Sequence, residues 1–111
     1  MNLEDKKENG VLVVRVLEDR LDASVALEFR DKMVSYIGGG EKLIVLNVAG
    51  VDFVDSSGLG AIVSSLKKLD ENGDIAISCA KEGVMRLFKL TRMNKVFRMY
   101  ETEKEAIEAL L

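Results

Sequence analysis

The sequence predicts a single α/β domain of 111 residues, with a mostly parallel or mixed β-sheet and about four α-helices. Segments typical of strands and of helices alternate from residue 11 onward, which is the order that builds a parallel sheet. The run KLIVLNV at residues 42–48 is almost continuously apolar, as in a strand that is covered on both faces. Residues 1–111 contain no internal repeat, low-complexity tract or linker, so we expect one domain.

The N-terminal part is predicted to place two strands and one helix before this central strand. A short edge strand covers residues 3–7, and the β-branched run GVLVVRVL covers residues 10–17. A helix is predicted for residues 23–37, where apolar residues recur at helical spacing. Asp22 is its predicted N-cap, and the glycines at residues 38–40 end it. The apolar positions of this helix are Ala26, Phe29, Met33 and Ile37.

After the central strand, the connector AGVDFVD leads to a second helix, which begins near Ser56 or Ser57. The segment ENG at residues 71–73 ends this helix, and DIAIS at residues 74–78 is predicted to be the next strand. The apolar stripe of the helix consists of Leu59, Ile62, Val63, Leu66 and Leu69.

The C-terminal part is predicted to contain two helices separated by a strand. One helix covers residues 81–91, and a short strand covers residues 95–100. The segment TEKE at residues 102–105 is a capping box, Thr followed three residues later by Glu, and it opens the last helix. The apolar faces of the two helices consist of Val84, Leu87, Phe88 and Thr91, and of Ala106, Ile107 and Leu110.

Composition excludes several classes of function. The net charge is −3 and the isoelectric point is near 5.0, so binding to nucleic acid or to an anionic membrane is disfavoured. The chain has no histidine, which excludes a Ser–His–Asp or Cys–His site within it. Its one cysteine, Cys79, cannot close an intrachain disulfide and is expected to be a small buried side chain, and a cytoplasmic location is expected. The segment MNLEDKKENG at residues 1–10 lacks the apolar centre of a signal peptide, and no run approaches the ~18 apolar residues of a membrane span.

The opening of the second helix has an unusual composition, because DSSG at residues 55–58 combines a carboxylate, two hydroxyls and a glycine. Asp, Ser and Gly are preferred at helix N-caps, so a cap explains part of this stretch. A cap leaves one hydroxyl unexplained, together with Gly58 and Gly60, each of which costs about 1 kcal/mol relative to Ala inside a helix. The alternative is a docking surface, where the glycines let another molecule approach the main chain. The small residues predicted to form this surface are Ser57, Ala61, Ser64 and Ser65.

A hydroxyl at a helix N-terminus is also well placed to carry a phosphate, because unpaired N–H groups and the helix dipole favour negative charge there. A phosphoryl group adds roughly −1.5 to −2 charges. At about 6 Å from a partner's carboxylate, with an effective dielectric constant of about 20, each pair of unit charges costs ~3 kcal/mol before salt screening. Such a cost weakens binding by ~100-fold. Phosphorylation would therefore act as an electrostatic switch on a surface whose fold does not change.

The segment VDFVDSSGLGAIVSSLKKL at residues 51–69 resembles the signature of bacterial anti-sigma factor antagonists, the small STAS-domain proteins of partner-switching pathways. RLD at residues 20–22 stands where this family has an acidic-Leu-Asp turn. VMRLFKLTRMNKVF at residues 84–97 is similar to the family's third-helix segment. The resemblance covers nearly the whole chain and implies a STAS-like fold.

The resemblance also implies a binding module that is not an enzyme and that takes part in a regulatory cycle. In this cycle the unmodified domain binds an anti-sigma factor that is also a serine kinase, and so frees a sigma factor for transcription. The kinase uses ATP to phosphorylate the domain, the complex dissociates, and a PP2C-type phosphatase resets the cycle. No contact with nucleic acid or membrane is implied, and the free domain is expected to be a monomer.

Carried over position by position, the resemblance makes Ser56 the phosphorylation acceptor, because it directly follows the motif's Asp. The kinase supplies the catalytic machinery and the nucleotide site, so no catalytic, cofactor-binding or metal-binding residue is expected in this chain. The partner-binding surface implied by the resemblance consists of Asp22, Asp55, Ser57, Gly58, Leu59, Gly60 and Ala61.

The chain departs from the family pattern at two places. Asp19 and Arg20 stand where the family usually has Gly followed by an acid, and a reversed charge beside a docking face can change which partner is accepted. Arg92 replaces the family's Gly after the third helix. We therefore expect a different C-terminal turn there, with Asn94 in the left-handed conformation.

Three other functions stay open on the sequence alone. A phospho-aspartate receiver is one, since Glu18 and Asp19 weakly resemble its metal-binding acids, but the strand at residues 42–48 ends without the acceptor Asp. A small enzyme with Ser56 as nucleophile is another, but it would lack a histidine base. The third is a STAS module that binds a small ligand or docks inside a larger assembly.

Overall fold

A five-stranded mixed sheet organises the computed structural model, which describes residues 1–111. The seven strands are β1 (Leu3–Glu8), β2 (Val11–Val16), β3 (Arg20–Leu21), β4 (Leu43–Asn47), β5 (Phe53–Val54), β6 (Asp74–Ser78) and β7 (Arg98–Tyr100). The four α-helices are α1 (Ala26–Gly38), α2 (Ser56–Lys67), α3 (Glu82–Leu90) and α4 (Glu103–Leu110), and a 3₁₀ turn (Met93–Lys95) follows α3. The predicted α/β class with four helices is confirmed.

The strand order in the main sheet is β1-β2-β4-β6-β7, and every neighbouring pair except β1 and β2 is parallel. The antiparallel pair is a hairpin whose two-residue turn is Asn9–Gly10. Both turn residues have positive φ angles, 54° and 84°, as a type I′ turn requires. The parallel order places the carboxyl ends of β2, β4 and β6 at the same edge of the sheet, and α1, α2 and α3 follow these strands in the chain.

The sheet has a separate apolar core on each face. On one face α1, α2 and α3 cover residues such as Leu12, Ile44 and Ile75, which are direct neighbours across three strands. On the other face α4 alone covers the alternate residues of the same strands. Because successive side chains of a strand point to opposite faces, this two-sided burial explains the continuous apolar run at residues 42–48. The residues buried under α4 and those that α4 contributes are Val11, Val13, Val45, Ala76, Ala106, Ile107 and Leu110.

The start of α1 differs from the sequence prediction. The helix begins at Ala26 and not at residue 23, and its N-cap position, Val25, provides no side-chain cap. Asp22 is not the N-cap of the helix; its carboxylate accepts a hydrogen bond from the backbone N–H of Ser24 at 3.0 Å and closes a turn before the helix. Pairing of β3 with β5 holds residues 20–21 extended, so the chain needs this turn before the helix can start.

The end of α3 also differs from the prediction. Arg92 itself takes the left-handed conformation, with φ of 62°, whereas Asn94 lies inside the 3₁₀ turn. The turn lets Phe97 enter the core, where its ring meets that of Phe88 edge-to-face at a centroid distance of 6.1 Å. Cys79 is another departure, because it lies after β6 with φ of 63° and is only partly buried. None of the four α-helices is long and apolar enough to span a membrane.

Candidate functional site

The two-stranded sheet β3–β5 brings together the loops that the motifs RLD and DSSG occupy. The strands are parallel, with Arg20 opposite Phe53 and Leu21 opposite Val54. The backbone N–H of Asp55 then donates to the carbonyl of Leu21 at 3.2 Å. Because the strands run in the same direction, the loop after β3 and the loop that opens α2 leave the sheet side by side.

Asp55 fixes both of these loops. Its Oδ1 accepts a hydrogen bond from the backbone N–H of Gly58 at 2.9 Å, which caps α2. Its Oδ2 accepts from the backbone N–H of Ala23 at 3.2 Å, which ties the loop after β3 to the helix terminus. Capping therefore explains Asp55, and it uses both oxygens of this carboxylate without any serine hydroxyl.

Ser56 and Ser57 are the first two residues of α2, and both are exposed. Neither hydroxyl takes part in a hydrogen bond within the chain, because Asp55 already provides the cap. The first turn of α2 contains no acidic residue. Two free hydroxyls thus lie at a helix terminus where the dipole and the N–H groups favour an added negative charge.

Gly58 has a different role from the one that its sequence context suggested. The residue is buried, and a Cβ atom at this position would lie 2.0 Å from the carbonyl oxygen of Leu21. Glycine is needed here so that the first turn of α2 can pack directly on β3, and this backbone is not open to a partner. A Cβ at Gly60, by contrast, would have no atom within 4 Å, and Gly60 is exposed.

Other residues of the expected docking surface are buried. Leu59 is 8% exposed and belongs to the core, and Ala61 is also buried. Ser65 is fully buried, and its hydroxyl donates to the carbonyl of Ala61 at 2.8 Å. The prediction of a broad small-residue face was wrong on these points because α1 packs along α2 and covers part of it. Of the small residues, Ser57 stays exposed and Ser64 stays half-buried.

Charged side chains surround the β3–β5 unit. The guanidinium of Arg20 lies 4.8 Å from the ring centroid of Phe53, in a cation–π contact, and its Nε donates to Asp22 at 3.0 Å. Hydrogen bonds from the Ser24 hydroxyl and from Arg20 lower the pKa of Asp22, so this carboxylate is ionised at neutral pH. Arg20 stands at one of the two places where the chain departs from the family pattern. Its guanidinium therefore balances the charge of Asp22 beside the β3–β5 sheet.

A groove between α1 and α2 starts next to the serines. Its volume is about 290 Å³, and it is open to solvent. Sequence reasoning found the α2 side of this groove and missed the α1 side. The available signal was the recurrence of Ala23, Leu27 and Arg30 at helical spacing beside the apolar positions of the helix predicted for residues 23–37. The groove is lined by Ala23, Ala26, Leu27, Arg30, Ser57, Ala61 and Ser64.

Comparison with known proteins gives one consistent family. Residues 2–106 match the STAS domain family. The chain is 32% identical over 114 residues to the anti-sigma F factor antagonist of Paenibacillus polymyxa, a match that covers 99% of this chain and 97% of that protein. It is 28% identical to the anti-sigma-B factor antagonist of Staphylococcus aureus, over 95% of this chain and 98% of that one.

Solved structures agree on the fold. A crystal structure of an anti-sigma factor antagonist from Mycobacterium paratuberculosis superposes with a TM-score of 0.90 at 22% identity, covering 98% of this chain and 92% of that one. The expected STAS-like fold is therefore confirmed. From the family match, the full-length relatives and the shared fold, we conclude that this chain belongs to the STAS domain family.

Proposed function

We propose that this chain is an anti-sigma factor antagonist whose α2 N-terminal surface binds an anti-sigma factor with serine kinase activity, until phosphorylation of Ser56 ends the contact. The names of its relatives support the general role. The observation that carries the switch is the free, exposed hydroxyl of Ser56 at a helix N-terminus whose cap is already provided by Asp55.

Ser56 is the proposed acceptor, and Ser57 is its neighbour on the docking surface. Ser56 directly follows Asp55, as the motif requires, and it does not line the groove between the helices. Ser57 does line this groove, so a partner seated there would cover it. The exposed part of the proposed docking surface is therefore formed by Ser57 and Gly60, with the ionised Asp22 on the adjacent loop.

A phosphate at Ser56 would change the charge of the surface and leave the fold intact. The helix dipole contributes about 0.3–1 kcal/mol in favour of negative charge at this position. The added charge of roughly −1.5 to −2 would repel any carboxylate that the partner places nearby. With the partner's carboxylate about 6 Å away, the cost of ~3 kcal/mol per pair of unit charges corresponds to ~100-fold weaker binding.

The remaining steps of the cycle belong to the partners. The anti-sigma kinase would supply ATP and the catalytic groups, and a PP2C-type phosphatase would restore the free Ser56 hydroxyl. Binding of the anti-sigma factor would release its sigma factor, so this chain would regulate transcription in the cytoplasm without contacting DNA. We propose no enzymatic activity, because no base lies in hydrogen-bond contact with the Ser56 hydroxyl.

The end of β4 is unlike that of a phospho-aspartate receiver. Asn47 occupies the end of β4, and its side chain is engaged: Nδ2 donates to Glu103 at 2.6 Å, and Oδ1 accepts from the backbone N–H of Ala49 at 2.8 Å. A receiver would need an acceptor carboxylate at the end of this strand. The STAS family match also favours the antagonist over this alternative.

Phosphate mapping tests the proposal. The protein is incubated with ATP and each candidate anti-sigma kinase from the same genome, and modified residues are located by mass spectrometry. We expect phosphate on Ser56 in the parent and in Ser57→Ala, and none in Ser56→Ala, which should still bind the kinase. Phosphate on an Asp, phosphate without any kinase, or modification that survives in Ser56→Ala would contradict the proposal.

A further inference from the structure

We infer that the groove between α1 and α2 is the part of the surface that selects the partner. The groove binds an aliphatic side chain of the anti-sigma kinase, and the kinase carries a carboxylate beside that side chain. The inference rests on the proposed function, and it adds residues of α1 to a docking surface otherwise formed by α2 and the loop after β3. Its main determinants are Leu27 and Arg30.

The two walls of the groove come from matching faces of neighbouring helices. Leu27 and Arg30 are three residues apart on α1 and so lie on one helix face. Ser57, Ala61 and Ser64 are four and three residues apart on α2 and form the opposite wall. Because these α2 residues are small, the two helices leave an open channel between them. Larger side chains at the same positions would fill this channel.

The size and lining of the groove suit a protein side chain. Its volume of about 290 Å³ is at or below the lower limit of small-molecule pockets, which run from roughly 300 to 1,000 Å³. Methyl and methylene groups of Ala23, Ala26 and Leu27 provide the apolar lining. Leu27 is 65% exposed, so a partner's aliphatic group would remove a large apolar side chain from water.

Arg30 supplies the charge at the rim of the groove. It is exposed and makes no ion pair or side-chain hydrogen bond within the chain. The guanidinium is therefore free to bind a carboxylate from outside, and arginine is enriched among the residues that dominate interface energies. Of the other five arginines, Arg92 likewise has no carboxylate partner within the chain, and four do have one: Arg15, Arg20, Arg86 and Arg98.

The groove is continuous with the proposed switch. Ser57 lines the groove and directly follows Ser56 in the first turn of α2. A partner carboxylate that pairs with Arg30 would thus lie on the same surface as a phosphate on Ser56. A partner that pairs with Arg30 would also cover the first turn of α2, so a phosphate on Ser56 would act on the contact that the groove selects.

Binding measurements with two variants and two matched controls test this inference. The probe is the anti-sigma kinase that phosphorylates the parent on Ser56 in the experiment above. Arg30→Glu reverses the rim charge, and Ser64→Leu fills the groove. Lys32→Glu and Lys67→Leu make similar changes at exposed positions of the same two helices, outside the groove. Calorimetry gives the affinities, and thermal melts confirm that each variant is folded.

We expect Arg30→Glu and Ser64→Leu to bind ~10-fold or more weakly than the parent, and Arg30→Lys to retain most of the affinity because it keeps the charge. The two controls should bind within about 2-fold of the parent, since isolated surface changes contribute little. Folded Arg30→Glu protein that binds as tightly as Lys32→Glu would overturn the role of Arg30. Unchanged affinity of Ser64→Leu would overturn insertion into the groove.

The proposed function and the groove can fail separately. If the parent is phosphorylated on Ser56 and Arg30→Glu binds normally, the switch stands and the groove proposal is wrong. If no anti-sigma kinase binds or modifies the parent, the proposed function fails and the groove proposal fails with it. If sedimentation finds a parent dimer that Arg30→Glu dissociates, the groove binds a second copy of the chain and the proposed occupant is wrong.

Discussion

The N-termini of α2 and α4 use the same physical chemistry in opposite ways. Both helices have a side-chain cap, Asp55 in α2 and Thr102 in α4, where the Thr102 hydroxyl accepts from the backbone N–H of Glu105 at 3.1 Å. The predicted N-cap at Thr102 is confirmed, but Glu105 Oε1 accepts from the Thr102 hydroxyl at 3.1 Å and not from its backbone N–H, so only half of the capping box is present. The first turn of α4 contains Glu103 and Glu105, whereas the first turn of α2 contains no acid and two free serines.

The charge at the α4 terminus is permanent and is neutralised within the protein. Glu103 accepts hydrogen bonds from Arg15 Nε at 2.7 Å, from Arg15 Nη2 at 2.9 Å and from Asn47. The hydrogen bonds from Arg15, followed by the one from Asn47, lower the pKa of Glu103 to about 2 against the opposing effect of burial. In turn, Glu103 and Glu4 raise the pKa of Arg15. A helix terminus with a fixed internal charge anchors α4 to the sheet.

The first turn of α2 carries no acidic side chain, and the carboxylate at this terminus is that of Asp55, which caps the helix by accepting from the backbone N–H of Gly58. The hydroxyls of this turn have no internal partner, and the anchoring of α2 depends on backbone packing against Leu21 instead of on an ion pair. The α4 terminus thus holds its charge within the fold, whereas the α2 terminus leaves two hydroxyls exposed, where the proposed phosphate would add charge at the surface. The experiments below test each half of this contrast, in order of decreasing effect.

Gly58→Ala should have the largest effect on stability, because α2 is anchored by its packing on Leu21 and not by an ion pair. The added Cβ would lie 2.0 Å from the Leu21 carbonyl, so backbone must move. We expect a loss of ~3 kcal/mol or more in the free energy of unfolding, measured by urea denaturation.

Gly60→Ala is the matched control, because a Cβ there has no atom within 4 Å. It should raise the free energy of unfolding by up to ~1 kcal/mol through helix propensity alone. Equal stability of the two variants would show that the close contact between α2 and β3 does not anchor the helix.

Glu103→Gln should have an intermediate effect that depends on pH. The pKa of Glu103 is lower in the folded protein than its usual value of 4.5, so its contribution is full above pH 4.5 and is lost as the pH falls towards 2. We expect a loss of about 1–2 kcal/mol at pH 7, less than the pKa shift alone would give, because solvent screens part of this partly exposed network. The stability difference from the parent should shrink on acidification.

Glu101→Gln is the control for this prediction, because Glu101 is exposed and has no side-chain partner. Its stability should stay within ~0.5 kcal/mol of the parent at all pH values. Neither variant should change phosphorylation of Ser56, because α4 lies on the opposite face of the sheet. A constant stability difference for Glu103→Gln between pH 7 and pH 2 would refute the charge-based anchor.

Arg92→Gly should have the smallest effect, at a position remote in sequence from both helix termini. The left-handed conformation costs a non-glycine residue about 1–2 kcal/mol, part of which glycine returns as greater freedom of the unfolded chain. We expect a net gain of ~0.5–1 kcal/mol in stability. Asn94→Gly, inside the 3₁₀ turn, should not stabilise the protein; the reverse order of the two variants would contradict the observed turn.

Much of the fold could be predicted from local patterns. Apolar periodicity identified the helices and the main strands, and the segment TEKE identified the start of α4. The helix N-terminus at Ser56 was also predictable, since Asp and Ser before an apolar stripe are typical of a cap. These features depend on residues that are close in sequence, so a single sequence contains enough information to find them.

Features that depend on distant residues could not be predicted. Strands of two residues, such as β3, have no periodicity, so the late start of α1 was missed. The contact of Gly58 with Leu21 joins two separate motifs, and the burial of Ala61 depends on where α1 packs. The Arg15–Glu103 pair connects residues 88 positions apart. In each case the missing information is a tertiary contact.

The proposed switch requires that a phosphate on Ser56 repels the partner while the domain stays folded as before. The direct measurement compares phosphorylated and unmodified protein for affinity to the anti-sigma kinase and for free energy of unfolding. We expect ~100-fold weaker binding at low salt, a smaller loss at high salt, and stabilities within ~0.5 kcal/mol of each other. Equal affinities, or a phosphorylated domain that is several kcal/mol less stable, would contradict it.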